Sequence, residues 1–351
     1  MDTKTIIIKM GTEESEEHLT QLLAPAAEVI RHGGLVAFPT ETVYGLGADG
    51  TNPDAAAKIY EAKGRPSDNP LIIHLSRPEE AEKYAYTNEV YYRIAEAFMP
   101  GPVTVILKAR ETVPLKTRGG LSTVAVRCPS HPIANKLISL AGVPIAAPSA
   151  NISGSPSPTT AAHVIDDMMG RADIIIDGGD CDFGLESTII SAHEEGGVVL
   201  LRPGRITVND ISALGIEVRV ADAVTDKLRE GEVALSPGMK YRHYAPRAEV
   251  ILLDGDREGR YEYTRSVEGR IAVIAYTEDT PLYSELPDVS VYDFGSSMDK
   301  LGQAHRLFDI LRAADKENYD VIFAPLPGTE GIELALYNRM IRAAAHKIIK
   351  L

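Results

Sequence analysis

Tryptophan is absent from these 351 residues, and cysteine occurs only twice, at Cys128 and Cys181. Two thiols cannot build a disulfide scaffold or a zinc ribbon, so a reducing compartment fits and the cytoplasm is the expected location. No apolar run approaches the ~18 to 20 residues that span a bilayer, so neither a transmembrane helix nor a membrane partner is expected. The opening MDTKTIIIKMGTEE carries too short an apolar core for a signal peptide and predicts a first strand. Positive charge is also scarce: 36 Lys and Arg against 50 Asp and Glu give a formal net charge of −14. That balance excludes a general nucleic-acid coat while leaving room for a local cationic pocket. Standard constellations are missing as well. There is no GxxxxGK[ST] loop, no GxGxxG after a strand, no GxSxG elbow and no His/Cys cluster at metal-ligand spacing. The nucleotide folds and the hydrolase elbow of those motifs are unsupported, and no metal site in the protein is expected.

What is present is a chain able to bury a core, with 44 % hydrophobic and 25 % charged residues and a length of about two domains. Its first two-thirds alternate helical and extended patterns. Leu19 to Arg31, Asp54 to Lys63, Pro132 to Leu140 and Thr160 to Met169 predict helices. LVAF at 35–38, LIIHL at 71–75, VTVILKA at 103–109, STVAVR at 122–127, PIAA at 144–147 and DIIID at 173–177 predict strands. STIIS at 187–191 and VVLLR at 198–202 are expected to pair across the intervening turn. Some strands follow one another directly, so a mixed α/β sheet fits better than a strictly alternating parallel one. Residues 221–247 break the rhythm with SPGMKYRHYAPR at 236–247. The alternation then restarts, with strands in EVILLD, RIAVIAY, VSVYDF and DVIFAP and helices over 297–315 and 331–349. The expected domains are 1–220, a linker at 221–247, and a smaller βαβ domain at 248–351.

Three segments of the first part concentrate chemistry. FPTETVYGLG at 38–47 is a strand running into a turn, where hydroxyls either cap the next element or face a ligand. KGRPSDNPLIIH at 63–74 ends a helix with Lys63 and Arg65, which complement the helix dipole. Together they also supply a point charge and a bidentate fork, a common clamp for phosphate. APSANISGSPSPTT at 147–160 reads either as a Ser/Pro-rich surface loop or, beginning at a strand end, as a cradle for phosphate oxygens. LESTIIS, LLRPGR and Arg127 add hydroxyls and arginines.

FPTETVYGLG, KGRPSDNPLIIH, PGPVT, STVAVRCP, PSANISGSPSPT, ESTII, LRPG and SPGMKYRHYAP, in that order over residues 19–246, resemble the threonylcarbamoyl-AMP synthase family. The resemblance is to its two-domain form, with a YrdC-like N-terminal domain. The remaining part is similar to the family's second, Rossmann-like domain in length and βαβ pattern. The resemblance implies synthesis of threonylcarbamoyl-AMP from L-threonine, bicarbonate or CO2, and ATP, with release of pyrophosphate. The product feeds the N6-threonylcarbamoyl modification of adenosine 37 in tRNA. ATP is then a substrate, with Mg2+ arriving on it. The tRNA threonylcarbamoyl transferase machinery is the downstream partner, and a weak contact with tRNA is compatible with that role.

Carried over by position, Thr42, His74, Arg127, Ala147 and Ser187 are the implied threonine set, Arg127 facing the carboxylate and Ala147 contributing backbone. Lys63, Arg65, Asn69, Thr123, Ser149, Ser157, Arg202 and Ser236 are the implied ATP set. Lys63 and Arg65 are the implied catalytic cations. Ser155, Arg205 and Lys240 rival Ser157, Arg202 and Ser236. The linker at 236–246 is expected to act as a lid or as a plain hinge. Two other functions compete: a non-catalytic module binding double-stranded RNA or tRNA, and carbamoyl transfer in hydrogenase maturation. The acidic balance opposes the first, and two cysteines cannot supply the zinc fingers of the second.

Overall fold

The computed structural model describes residues 4–11, 15–193, 196–226 and 244–351. Ser236 and residues 236–243 of the expected lid therefore lie outside the described residues. The chain divides into two compact units. The first comprises Met1–Ser153, Ser157–Asp182 and Glu186–Lys240; the second comprises Tyr241–Leu351 with Gly154–Pro156 and Phe183–Leu185.

The strands of the first unit are β1 (Ile6–Lys9), β2 (Val36–Phe38), β3 (Gly45–Asp49), β4 (Ile72–His74), β5 (Ala85–Tyr86), β6 (Val103–Ala109), β7 (Thr123–Arg127), β8 (Ile145–Ala146), β9 (Ile174–Asp177), β10 (Thr188–Ala192), β11 (Val198–Arg202) and β12 (Val218–Val220). Its helices are α1 (Glu16–Arg31), α2 (Pro53–Lys63), α3 (Glu89–Phe98), α4 (Pro132–Ala141), α5 (Ala161–Met168) and α6 (Val208–Ser212). Among the described residues the strands form one sheet in the order β1-β9-β2-β3-β8-β4-β7-β6-β10-β11-β12, with β5 beside β6. Neighbours run both ways: β4 and β7 are parallel, β7 and β6 antiparallel, β6 and β10 parallel, and β10 and β11 antiparallel. The sheet is therefore mixed, as the direct succession of strands in the sequence predicts.

Helix ends follow local chemistry. Asn52 Oδ1 accepts from the Asp54 and Ala55 amides, Pro53 opens α2, and Gly64 closes it at φ 62° in the left-handed region. Ser15 caps α1, so that helix starts at Glu16, ahead of its apolar stripe. That stripe (Leu19, Leu23, Ala26, Ala27, Ile30) is buried with Ile133, Leu137 and Ile138 of α4 and with Phe38, Ile145 and Ile176 of the sheet. The periodicity of 19–31 is thus the imprint of a real core face.

The structure departs from the sequence reading at several elements; the short β5, α6 and β12 and, in the second unit, two further helices lie where no element is expected, and a closing strand lies where the end of a helix is expected. Residues 45–49 are a strand rather than an extension of the turn. GLGAD looks like loop composition, but a Cβ on Gly47 would come within 2.6 Å of the Phe38 ring and of Ile145, so glycine there serves close packing of neighbouring strands. Helix α3, capped by Asn88, occupies a stretch with no element expected. The closing helix is shorter than the expected 331–349.

The second unit contains β13 (Glu249–Asp254), α7 (Arg257–Ser266), β14 (Ile271–Ala275), α8 (Thr280–Tyr283), β15 (Val289–Asp293), α9 (Lys300–Asp315), β16 (Val321–Pro325), α10 (Glu333–Ala343) and β17 (Ile348–Lys350). Its sheet is parallel throughout, in the order β15-β14-β16-β13-β17. Leu253, Ile271, Val273 and Phe323 form its core. The expected helix to Ile349 stops at Ala343 because Ala345 and His346 adopt positive φ, at 48° and 66°. Ile348 and Ile349 then pair with Leu252 and Leu253 as an added parallel strand.

Candidate functional site

Sheet register aligns the sequence's candidate residues. His74 ends β4, level with Arg127 at the end of β7 and with Ile145 of β8. Arg127 in turn pairs with Thr104 of β6, and Thr104 with Ile189 of β10. The strand order β8-β4-β7-β6-β10-β11 thus lays Ala147, His74, Arg127, Thr104, Ser187 and Arg202 on or beside successive strands of one sheet. All six are buried.

The loop from β2 to β3 closes onto this row. Thr40 Oγ1 donates to the Val43 carbonyl at 2.7 Å and accepts from the Thr42 and Val43 amides, so the loop is tied by its own hydroxyl. Arg127 donates through one guanidinium nitrogen to Glu41 Oε1 at 2.7 Å and to Thr42 Oγ1 at 2.8 Å. The hydroxyls of FPTETVYGLG thus tie the turn, and Thr42 also meets an arginine of the row.

His74 is enclosed, with Nδ1 3.2 Å from the Ile72 carbonyl and 3.3 Å from that of Ile145. Burial first, and the Arg127 charge second, pull its pKa from 6.5 down to about 3. The ring is neutral near pH 7. Nδ1 donates to those carbonyls, which leaves Nε2 as an acceptor. Further along, Thr104 Oγ1 and Ser187 Oγ share a hydrogen bond at 2.8 Å. Arg202 Nε donates to the Ser187 carbonyl at 3.1 Å, and one of its terminal nitrogens donates to Ser187 Oγ at 3.2 Å. Arg202, implied for ATP, therefore meets a residue implied for threonine.

The remaining cations lie where α2 ends. Lys63 Nζ donates to the carbonyls of Ser149 and Asn151, each at 2.5 Å, and Ser149 Oγ donates to Asn151 Oδ1. Arg65 donates to the Pro70 carbonyl at 3.1 Å and, at 3.4 Å, to that of Asn69, while the Asn69 side-chain oxygen is buried without a partner among the described residues. Thr123 opens β7. It lies at the far end of that strand from Arg127, roughly 13 Å along it. Ser157 is buried and donates to Glu186 Oε1 at 2.5 Å. The structure thus brings Thr42, His74, Arg127, Ala147, Ser187 and Arg202 into one row. Lys63 joins Ser149, Arg65 joins Asn69, and Thr123 pairs with Lys108 of β6.

Sequence reasoning passed over Glu41, Thr104, Asn151 and Glu186. All four lie inside the quoted motifs, and Glu41 had a signal: an acid between two threonines in an otherwise apolar run. Burial raises the Cys128 thiol to about 12 and pushes Cys181 up further, so neither offers a thiolate near neutral pH. Among the described residues no three His, Cys, Asp or Glu side chains converge as metal ligands. No described helix is long and apolar enough to cross a membrane.

Comparison with known proteins bears on both units. A family model described as telomere recombination matches residues 28–204, and one described as threonylcarbamoyl-AMP synthase, C-terminal domain, matches residues 206–345. The chain is 45 % identical to the threonylcarbamoyl-AMP synthase of Pyrococcus abyssi, over 99 % of each chain. It is 41 % identical to that of Bacillus subtilis, over 93 % of this chain and 94 % of the relative. A crystal structure of P. abyssi Sua5 complexed with L-threonine superposes with a TM-score of 0.87 at 42 % identity, covering 99 % of this chain and 100 % of the other.

Proposed function

The chain belongs to the threonylcarbamoyl-AMP synthase family, and from that premise we propose how its own residues carry out the synthesis. The reaction joins L-threonine, bicarbonate or CO2, and ATP into threonylcarbamoyl-AMP, the first step of N6-threonylcarbamoyladenosine formation in tRNA. In our reading it is a nucleotidyl transfer in two steps. The threonine ammonium loses a proton, the free amine adds to CO2, and loss of a second proton from nitrogen gives the N-carboxy anion; starting from bicarbonate, a water is released and one proton fewer is lost. A carbamate oxygen then attacks the α-phosphorus of ATP. The new oxygen–phosphorus bond forms as the bond to the leaving oxygen breaks, and pyrophosphate departs. No protein nucleophile takes part, so rate enhancement rests on positioning and electrostatics.

The amino acid lies along the row. Arg127 takes its carboxylate, Thr42, the backbone at Ala147 and Ser187 meet its polar groups, and neutral His74 accepts the substrate hydroxyl at Nε2. Lys63, Arg65, Asn69, Thr123, Ser149, Ser157, Arg202 and Ser236 serve ATP, with Lys63 and Arg65 balancing charge on the phosphates. Mg2+ comes as part of the nucleotide substrate. Of the acids along the row, Glu41 accepts from Arg127 and Glu186 from Ser157. Residues 1–220 form the catalytic domain, 221–247 a linker and 248–351 a Rossmann-like domain. The protein works in the cytoplasm and hands its product to the tRNA threonylcarbamoyl transferase machinery.

The observation that carries this reading is the alignment of buried His74, Arg127, Thr104 and Ser187 along β4, β7, β6 and the start of β10, close to the Thr42 loop. The test is pyrophosphate release, which should require ATP, L-threonine and bicarbonate together. Lys63→Ala should lower it by orders of magnitude with the fold intact. Release that ignores threonine, or a normal rate in Lys63→Ala, rejects the assignment.

A further inference from the structure

The buried ion pair at the centre of the row is joined at one point only. A terminal nitrogen of Arg127 lies 2.7 Å from Glu41 Oε1, and the two side chains are only 5 % and 9 % exposed. A guanidinium facing a carboxylate ordinarily closes two parallel bonds. Here Glu41 Oε2 and Arg127 Nε are both buried, and neither has a hydrogen-bond partner among the described residues. An unmet acceptor on a buried anion and an unmet donor on a buried cation are each costly. The pair is held in this state, because the Arg127 nitrogen that reaches Glu41 also donates to Thr42 Oγ1 at 2.8 Å, which in turn shares a hydrogen bond with Thr40. Turning the guanidinium to close the second bond would give those up.

One kind of molecule meets both unmet groups at once: one whose anion and cation are a few bonds apart, as in a zwitterionic α-amino acid. We infer that Glu41 receives the ammonium of the amino-acid substrate at Oε2 while Arg127 takes its carboxylate. The Glu41–Arg127 pair is then a matched receptor, and Glu41 is the residue that selects an amino acid over the corresponding acid without an amine. This rests on the reading of the row as the L-threonine site.

The test is calorimetric binding by the full chain and by Glu41→Gln. Each is titrated with L-threonine and with the analogue in which a hydroxyl replaces the ammonium. ATP binding by the same samples reports on the integrity of the fold. Glu41→Gln should lose about 10- to 100-fold in L-threonine affinity while hardly altering that for the analogue, so that discrimination collapses. Equal losses for both ligands, or undiminished threonine binding, overturn the inference. Should Glu41→Gln fail to fold, Glu41→Asp replaces it. Aspartate keeps the charge opposite Arg127 but shortens the reach, and it should shift the ratio in the same direction under the same overturning outcomes. An unsubstituted chain that does not bind L-threonine overturns the proposed function and this inference with it. Threonine binding in the unsubstituted chain with an unaltered variant overturns the inference alone.

Discussion

His74 shows how a single buried side chain ties site chemistry to stability. Its ring is enclosed beside Arg127 and edge-on to Phe38, with centroids 6.4 Å apart. In the folded protein it stays neutral to about pH 3, whereas its ordinary pKa is 6.5. Between those values the unfolded chain binds a proton that the folded chain does not. Stability from this group is therefore complete above pH 6.5 and is lost as pH falls toward 3. The slope approaches 1.4 kcal/mol per pH unit. Urea unfolding from pH 7 to pH 4 should show the loss, and His74→Gln should show less of it. Equal slopes would mean that His74 titrates normally. At this scale the sequence was informative about which residue types matter and uninformative about what they touch. Arg127 and Thr42 were legible from their motifs, but their direct hydrogen bond depends on how the loop at 39–44 folds back over β7. Glu41 was passed over because an acid in a turn ordinarily faces solvent; its burial follows from the same fold-back.

At the scale of elements, legibility followed the strength of local signals. The second helix was readable because Asn52, Pro53 and Gly64 mark both of its ends chemically. The strand β3 was not, since two glycines in five residues carry turn composition, and their reason lies in a neighbouring strand. β17 was missed for a similar cause: IIK extends the helical pattern of α10 in sequence, although the positive φ of Ala345 and His346 has already ended that helix. Gly47 offers a test that links element to site. An alanine there would press its Cβ to 2.6 Å from Phe38 and Ile145, and Phe38 packs against His74. Gly47→Ala should destabilise the chain by about 1 to 3 kcal/mol, read from the urea midpoint, and should also weaken threonine binding. A loss of stability without a change in binding would show that the strand shift stops short of the row.

For the whole molecule, each unit has its own sheet and its own apolar core, the first built around α1, α4 and β9 and the second around β13, β14 and β16. The described residues assigned to threonine, Thr42, His74, Arg127, Ala147 and Ser187, all fall in the first unit, as does the Lys63–Ser149 pair. A net charge of −14 over the chain is compatible with that cationic site because Lys63, Arg65, Arg127 and Arg202 are buried, each held by carbonyls, hydroxyls or Glu41. Binding of the amino acid and completion of the reaction should then be separable by truncation. A fragment of residues 1–226 keeps the row of strand ends and loses Ser236 together with the Lys, Arg and Tyr of SPGMKYRHYAPR. It should fold cooperatively and bind L-threonine within about threefold of the full chain, because no threonine contact is removed. Pyrophosphate release by the fragment should fall at least tenfold, because groups assigned to ATP leave with the linker. Calorimetry and a pyrophosphate assay on the same preparation separate the outcomes. Loss of threonine binding would place part of that site beyond residue 226, and full turnover would remove Ser236 and the linker from the reaction.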